Sequence, residues 1–298
     1  MAALNQPELS ILITAYREAE TIGKALEAIL PQVGDLTAEV LVICPDEETA
    51  SVAGRYPGVT VLHDPGQGKP TALNLGLRQA RGSIIVMTDG DVYIGDNAIA
   101  ALLAPFDDPS TGAVSGRPVS LSPRTTMLGY WSHLLTDAGA HAERLKRDAA
   151  GQFFVCSGYL YAIRAGLVGT IPEEALAEDA VISHLIGGQG YRIRYAPKAE
   201  VFVKYPTTYR DWLAQKVRSA GGYAQPIIVR SPLRMRSFWH EVSGGTWRAL
   251  RYPRNIREML WTWALLLARL HLWLLIFWQV RVRRLPLSRL WKRVESTK

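Results

Sequence analysis

Cysteine is scarce: Cys44 and Cys156 are the whole complement in 298 residues. Two thiols cannot staple a small secreted scaffold, and Cys44 sits in an apolar, strand-like run, so a reducing compartment is expected. The opening MAALNQPELS has neither a basic start nor an apolar core segment, so no secretory leader is expected. The histidines (His63, His133, His141, His184, His240, His271) show no short ligand spacing, which argues against a histidine-based metal centre. Internal repeats and low-complexity segments are lacking as well. What the C-terminal part lacks is acid. From Lys216 onward 17 Lys+Arg face only Glu241, Glu258 and Glu295, whereas up to Gln215 another 17 face 24 Asp+Glu.

What is present is a globular composition, 48% hydrophobic and 20% charged, enough for one large domain or a domain with an appendage. A net charge of +7 suggests nucleic acid until its distribution is considered. Seven of the nine tryptophans share the basic tail. Arginine with tryptophan at that density suits an anionic membrane surface, where indoles sit at the headgroups and guanidinium groups meet lipid phosphates. Nucleic acid, which such residues also serve, is the weaker reading. The chain therefore divides into a body, 1–222, and a basic, Trp-rich helical region, 223–298, that associates with membrane.

Within the tail, Met259–Val280 is a 22-residue apolar run, about 33 Å as a helix and long enough to cross a hydrocarbon core. Arg269 and His271 near its centre, and basic flanks on both sides, oppose simple spanning. The expectation is a segment that lies in the interface or re-enters, holding the body on the cytoplasmic face of the cell membrane, with Ala224–Arg236 as a second contact.

The body alternates strand and helix. Leu9–Thr14, Glu39–Ile43, Val59–Leu62 and Ser83–Thr88 read as strands, and Glu20–Leu30 and Lys69–Ala80 as helices, with Pro31 ending the first. Phe153–Cys156 reads as a further strand-like run. This order predicts an α/β fold, a mainly parallel sheet with flanking helices, whose ligands sit beyond the carboxyl ends of the strands. Tyr16-Arg17-Glu18, Asp46 and Asp89-Gly90-Asp91 follow three of those ends. Asp89 and Asp91, separated by a glycine that permits a tight turn, can hold one hard divalent cation, Mg²⁺ or Mn²⁺, which would bridge to a diphosphate. An ordinary Asp- and Gly-rich turn is the plainer alternative.

Four segments in order, ELSILITAYREAETIGKALEAIL, GQGKPTALNLGLRQARGSIIVMTDGD, EDAVISHL and QKVR, resemble family 2 glycosyltransferases over roughly residues 8–220. The resemblance is strongest to the membrane-associated branch related to polysaccharide synthases. It implies a GT-A fold, a nucleotide-sugar donor (usually a UDP-sugar), a divalent metal, and inversion at the anomeric carbon. By this likeness Tyr16 and Glu18 flank the base and ribose, Asp46 is the best match to the nucleobase-reading aspartate, and Lys69 lies near donor phosphate or base. Asp89 and Asp91 match the Asp-x-Asp motif, with Asp91 the direct metal ligand.

Asp179 is then the general base, supported by Glu178, although two acids in a first helical turn also serve the helix dipole. Ser157-Gly158-Tyr159 resembles the acceptor-side segment, with Ser157 and Gly158 on the acceptor side. Gln215 and Arg218 match part of a Gln-x-x-Arg-Trp motif, Arg218 being suited to diphosphate oxygens. The motif's tryptophan is replaced by Ser219, which weakens the case for long-chain polymerisation. A phosphate-binding loop at Gly66–Thr71 is excluded, since position 63 is His and position 70 is Pro. The expected partners are a nucleotide-sugar donor and a lipid-linked or saccharide acceptor. Two alternatives are a nucleotidyltransferase on a GT-A-like sheet, which leaves Glu178-Asp179 and Arg218 without a role, and a non-enzymatic membrane-surface binding protein.

Overall fold

A computed structural model describes residues 8–34, 36–222, 225–233 and 246–278. The basic run from Arg281 to Arg293, Val280, and both ends of the expected Ala224–Arg236 contact lie outside the described residues.

Eight strands form one mixed sheet: β1 (Leu9–Thr14), β2 (Ala38–Cys44), β3 (Val59–His63), β4 (Ile84–Asp89), β5 (Tyr93–Ile94), β6 (Thr111–Ser120), β7 (Leu160–Arg164) and β8 (Arg192–Val203), in the order β3-β2-β1-β4-β7-β6-β8-β5. The first four run parallel, as their apolar runs imply. Strand β7 is antiparallel to both β4 and β6. It therefore starts at the edge where the parallel strands end, and brings the segment just before it to the ligand side of the sheet.

Strand alternation divides the core into two layers. Ile11 and Ile13 face α1 (Ile22–Ile29), α2 (Glu47–Ala53) and α4 (Ala98–Leu103). Leu12 faces α3 (Lys69–Gln79) and α7 (Glu178–Gly188). Pro31 lies in a short 3₁₀ turn, Leu30–Gln32, directly after α1.

Phe153–Cys156 is not a strand. Phe154, Val155 and Cys156 are buried, but the backbone is satisfied by serines instead of a ladder. Cys156 N–H donates to Ser183 Oγ at 3.0 Å, and Ser157 N–H to Ser115 Oγ at 2.9 Å. Apolar content alone reads such a segment as strand. Both thiols are buried and unpaired, and desolvation pushes each up to about 12.

A third apolar cluster joins the tail to the body. It packs α5 (Met127–Leu134), α8 (Tyr209–Gly222), α10 (Thr246–Arg251) and α11 (Ile256–Ile276) around Tyr130, Trp131, Trp212 and Leu265. Between α5 and α6 (Ala142–Ala149) runs a π-helical stretch, Leu135–His141. The short helix α9 (Pro226–Val229) packs Ile228 beneath α7.

Helix α11 is capped by Asn255 and anchored by Glu258, which receives both Arg124 Nε at 2.8 Å and Nη2 at 2.9 Å. Tyr130 Oη lies 2.7 Å from Thr262 Oγ1, and Trp131 Nε1 donates to the Trp261 carbonyl at 2.7 Å. Glu258, Thr262, Leu265, Ala268 and Leu272 form the buried face. Each fully buried leucine there contributes about 1.5–3 kcal/mol. The opposite face, with Ile256, Leu260, Trp263, Leu267, Leu270 and Leu274 more than half exposed, is an apolar stripe repeating every three or four residues.

Candidate active site

The carboxyl ends of β1 and β4 meet in register at Thr14 and Asp89. Thr14 Oγ1 donates to Asp89 Oδ1 at 2.9 Å. Lys69, the first residue of α3, reaches the same oxygen at 2.7 Å and Glu178 Oε1 at 2.9 Å. Its third contact is the Gly158 carbonyl at 3.3 Å. One ammonium thus ties the Asp-Gly-Asp turn, the start of α7 and the segment before β7. Burial opposes its charge, but Asp89 and Glu178 outweigh that and hold the lysine well above its usual range.

Asp179 accepts the Gly158 N–H at 3.0 Å and its neighbour Ala180 N–H at 2.8 Å. Desolvation, then the adjacent Glu178 charge, push its carboxyl up to about 6. Glu178 moves the other way: although burial raises it, Lys69 holds it below the usual carboxylate range. Two adjacent acids at one helix start are thereby driven apart, which is how environments assign different roles to like groups.

Gly90 is needed for close approach and not for a left-handed turn. A Cβ there would sit 2.7 Å from Glu18 Oε2 and 2.9 Å from Ala15 Cβ. Glu18 donates its N–H to Thr49 Oγ1 at 2.9 Å. Asp46 caps α2 through Thr49 and accepts the Arg17 N–H at 2.7 Å, which fixes the turn carrying exposed Tyr16. Arg17 itself adopts φ 53°, a left-handed conformation unusual for a side chain of its size.

A cavity of about 1380 Å³ opens over these groups. Tyr16, Glu18, Lys69, Asp89, Asp91, Ser157, Gly158, Glu178, Asp179, Gln215 and Arg218 all line it, whereas Asp46 does not and is replaced there by Pro45 and Asp64. Helix α8 supplies Gln215 and Arg218 from one face. Gln215 donates to Tyr159 Oη at 3.4 Å, and burial pushes that phenol up to about 12. Sequence reasoning missed Trp212 and Arg144 on the cavity wall, whereas Tyr159, at the end of the acceptor-side segment, lines it as well. Trp212 lies on α8 one turn before Gln215, a spacing that was readable. Arg144 carried no motif.

Among the described residues no group of three acids, histidines or cysteines is arranged to hold a metal alone. The donor set fits a cation of the Mg²⁺ or Mn²⁺ type, which characteristically takes one or two carboxylates and completes its shell with substrate phosphates and water. Asp91 lines the cavity, while Asp89 is engaged by Lys69 and Thr14.

The family profile named "Glycosyltransferase like family 2" matches residues 7–222. The chain belongs to this family. It is 25% identical over 237 residues to the probable glycosyltransferase YdaM of Bacillus subtilis, which covers 74% of this chain and 56% of that protein. It is 24% identical over 242 residues to the poly-beta-1,6-N-acetyl-D-glucosamine synthase of Staphylococcus epidermidis, covering 78% and 56%. The chain thus spans little more than half the length of these relatives. Among solved structures it is similar to the mannosyltransferase PcManGT of Pyrobaculum calidifontis, determined with GDP-Man and Mn²⁺. That match has a TM-score of 0.61 at 22% identity, over 97% of this chain and 84% of the other. The mixed α/β sheet with its flanking helices is the GT-A fold.

Proposed function

We propose that this chain is an inverting glycosyltransferase that moves a sugar from a nucleotide sugar to a hydroxyl of a lipid-linked or saccharide acceptor. The observation that carries the reading is the junction at Lys69, which gathers Asp89, Glu178 and Gly158 from three distant segments beside Asp179. Such convergence in one cavity is what a displacement across two substrates needs. Burial and the Glu178 charge push the Asp179 carboxyl up to about 6 in that cavity, which favours an enzyme over a non-enzymatic scaffold.

Asp179 takes the proton of the acceptor hydroxyl. The acceptor oxygen bonds to the anomeric carbon as that carbon's bond to the diphosphate breaks, and the nucleoside diphosphate leaves with the bonding pair. The Gly158 and Ala180 N–H groups hold the base in place. Arg218 offers a planar fork to diphosphate oxygens. A divalent cation on Asp91 would supply charge neutralisation at the leaving diphosphate. Tyr16 and Glu18, which line the cavity, are assigned to the base and ribose on the family likeness. The donor is assigned as a UDP-sugar on the family likeness.

The membrane assignment rests on α11. Its outer apolar stripe has basic company in the exposed Arg251, Arg254 and Arg257 at its amino end. This combination suits a helix lying in the interface of an anionic bilayer, with the body on the cytoplasmic face. The whole reading is tested by a donor screen that reads nucleoside diphosphate release from UDP- and GDP-sugars, with Mn²⁺ or Mg²⁺ and with lipid or saccharide acceptors. Release from no donor under either metal would overturn it.

A further inference from the structure

The cavity is larger than one bound nucleotide sugar requires, since single small-ligand pockets run to about 300–1,000 Å³. It continues beyond Asp179 between the π-helical stretch and α11. On the α11 side the wall is Leu265, Leu266, Leu272, Trp273 and Ile276, with Arg269 set among them. The arginine that opposes burial of this helix in lipid therefore faces the protein's own cavity. On the facing side, Leu134, Leu135, Ala138 and Gly139 lead to Arg144. A Cβ on Gly139 would meet nothing closer than the Leu134 carbonyl at 3.8 Å, so the wall leaves room there.

Arg144 Nε donates to the Val155 carbonyl at 3.2 Å, but its buried Nη1 has no hydrogen-bond partner among the described residues. Two more cavity residues, Trp212 and Gln215, are 4% and 8% exposed and leave Nε1 and Oε1 unpartnered in the same way. Buried polar atoms without partners mark places where a ligand or water is expected.

The geometry points to this arm as an acceptor subsite for an anionic glycolipid: an apolar tail along α11, a phosphate at Arg269 and Arg144, and a sugar hydroxyl presented to Asp179. The inference rests on the glycosyltransferase reading and narrows its acceptor class. A free oligosaccharide would want several aromatic platforms and many polar groups, whereas α11 offers mainly aliphatic side chains, Leu265, Leu266, Leu272 and Ile276, around Arg269 and Trp273. The exposed face of the same helix supports it further. Leu267, Leu270, Leu274 and Phe277 of the exposed stripe adjoin the cavity-wall positions along the same helix.

The probe is dodecyl phosphate bearing a diazirine at the tail end, photolysed with the full-length chain in zwitterionic nanodiscs. Label is expected within Leu265–Ile276 on the cavity side. Excess dodecyl phosphate should displace it, and inorganic phosphate and dodecyl maltoside should not. Arg269→Gln should cut labelling at least tenfold. Leu266→Trp, which fills the arm, should do the same while nucleotide binding stays at the wild-type level. Unchanged labelling in Arg269→Gln, equal competition by the maltoside, or label confined to the outer stripe would overturn the subsite. Transfer onto a soluble saccharide with an unlabelled arm would sink the subsite and spare the glycosyltransferase reading. Correct labelling without nucleoside diphosphate release from any donor would do the reverse.

Discussion

The N–H of Gly158 donates to Asp179 Oδ2 at 3.0 Å, so a backbone group without a side chain sets the position of the proposed base. A Cβ on Gly158 would sit 3.1 Å from that oxygen and 3.3 Å from Cγ. Gly158→Ala should therefore displace the carboxylate by a few tenths of an ångström. Turnover is expected to fall about 10- to 100-fold, because small misplacements of a reacting group are costly, with little change in donor KM. Steady-state kinetics at saturating donor check this.

With the Asp179 carboxyl at about 6, the base is ionised above that pH and protonated below it. kcat/KM should thus be flat at neutral pH and fall tenfold per unit on the acid side of about 6. Glu178→Gln removes the neighbouring negative charge that helps raise Asp179, so the acid limb should move to lower pH. Asp179→Asn should abolish the limb and lower turnover by about 10²–10⁴-fold while nucleotide binding persists. A twofold loss would leave Asp179 a helix-start acid and nothing more.

Metal dependence should run through Asp91. Asp91→Asn and chelation of wild type should lower nucleotide affinity to the same level, measured by calorimetry in Mn²⁺. Full metal-promoted affinity in Asp91→Asn would refute its role as a ligand.

The Arg124–Glu258 pair fixes α11 to the body with side chains 20% and 7% exposed. Glu258→Gln takes the carboxylate charge from Arg124, which keeps its hydrogen bond to Tyr252 Oη, and should cost about 1.5–3 kcal/mol, the worth of a hydrogen bond between charged groups. A lowered Tm and protease cleavage ahead of α11 are the expected readouts. Loss of Tm without cleavage would mean the helix stays docked by its apolar face.

Leu267 and Leu274 are 69% and 61% exposed on the outer stripe. Leu267→Glu with Leu274→Glu should leave Tm unchanged and abolish binding to anionic vesicles, read by co-sedimentation. Retained binding would assign the membrane contact elsewhere.

The parallel half of the sheet was legible because β1, β2 and β4 are near-continuous apolar runs that a doubly covered sheet demands. Strands β6 and β8 escaped notice for different reasons. In β8 a clean alternation of Ile193, Tyr195, Ala199, Val201 and Val203 is interrupted by Pro197, while β6 holds Gly112, Gly116 and Pro118. The gathering of Asp89, Asp91 and Asp179 in one cavity was legible through motif order. The Lys69 junction was not, since an ion pair across 109 positions, from Lys69 to Glu178, leaves no local pattern. The outward stripe of α11 was hidden too, because inner and outer faces are both apolar and periodicity cannot tell them apart.

Helix α11 is a partition with the cavity against one side and its exposed stripe on another. A helix with its side chains is about 10–12 Å thick. If the stripe rests on lipid, this thickness acts as a gauge. It fixes the stand-off between bilayer and reaction centre, so selection among acceptors falls on the reach of the head group from its anchor as much as on the sugar at its tip.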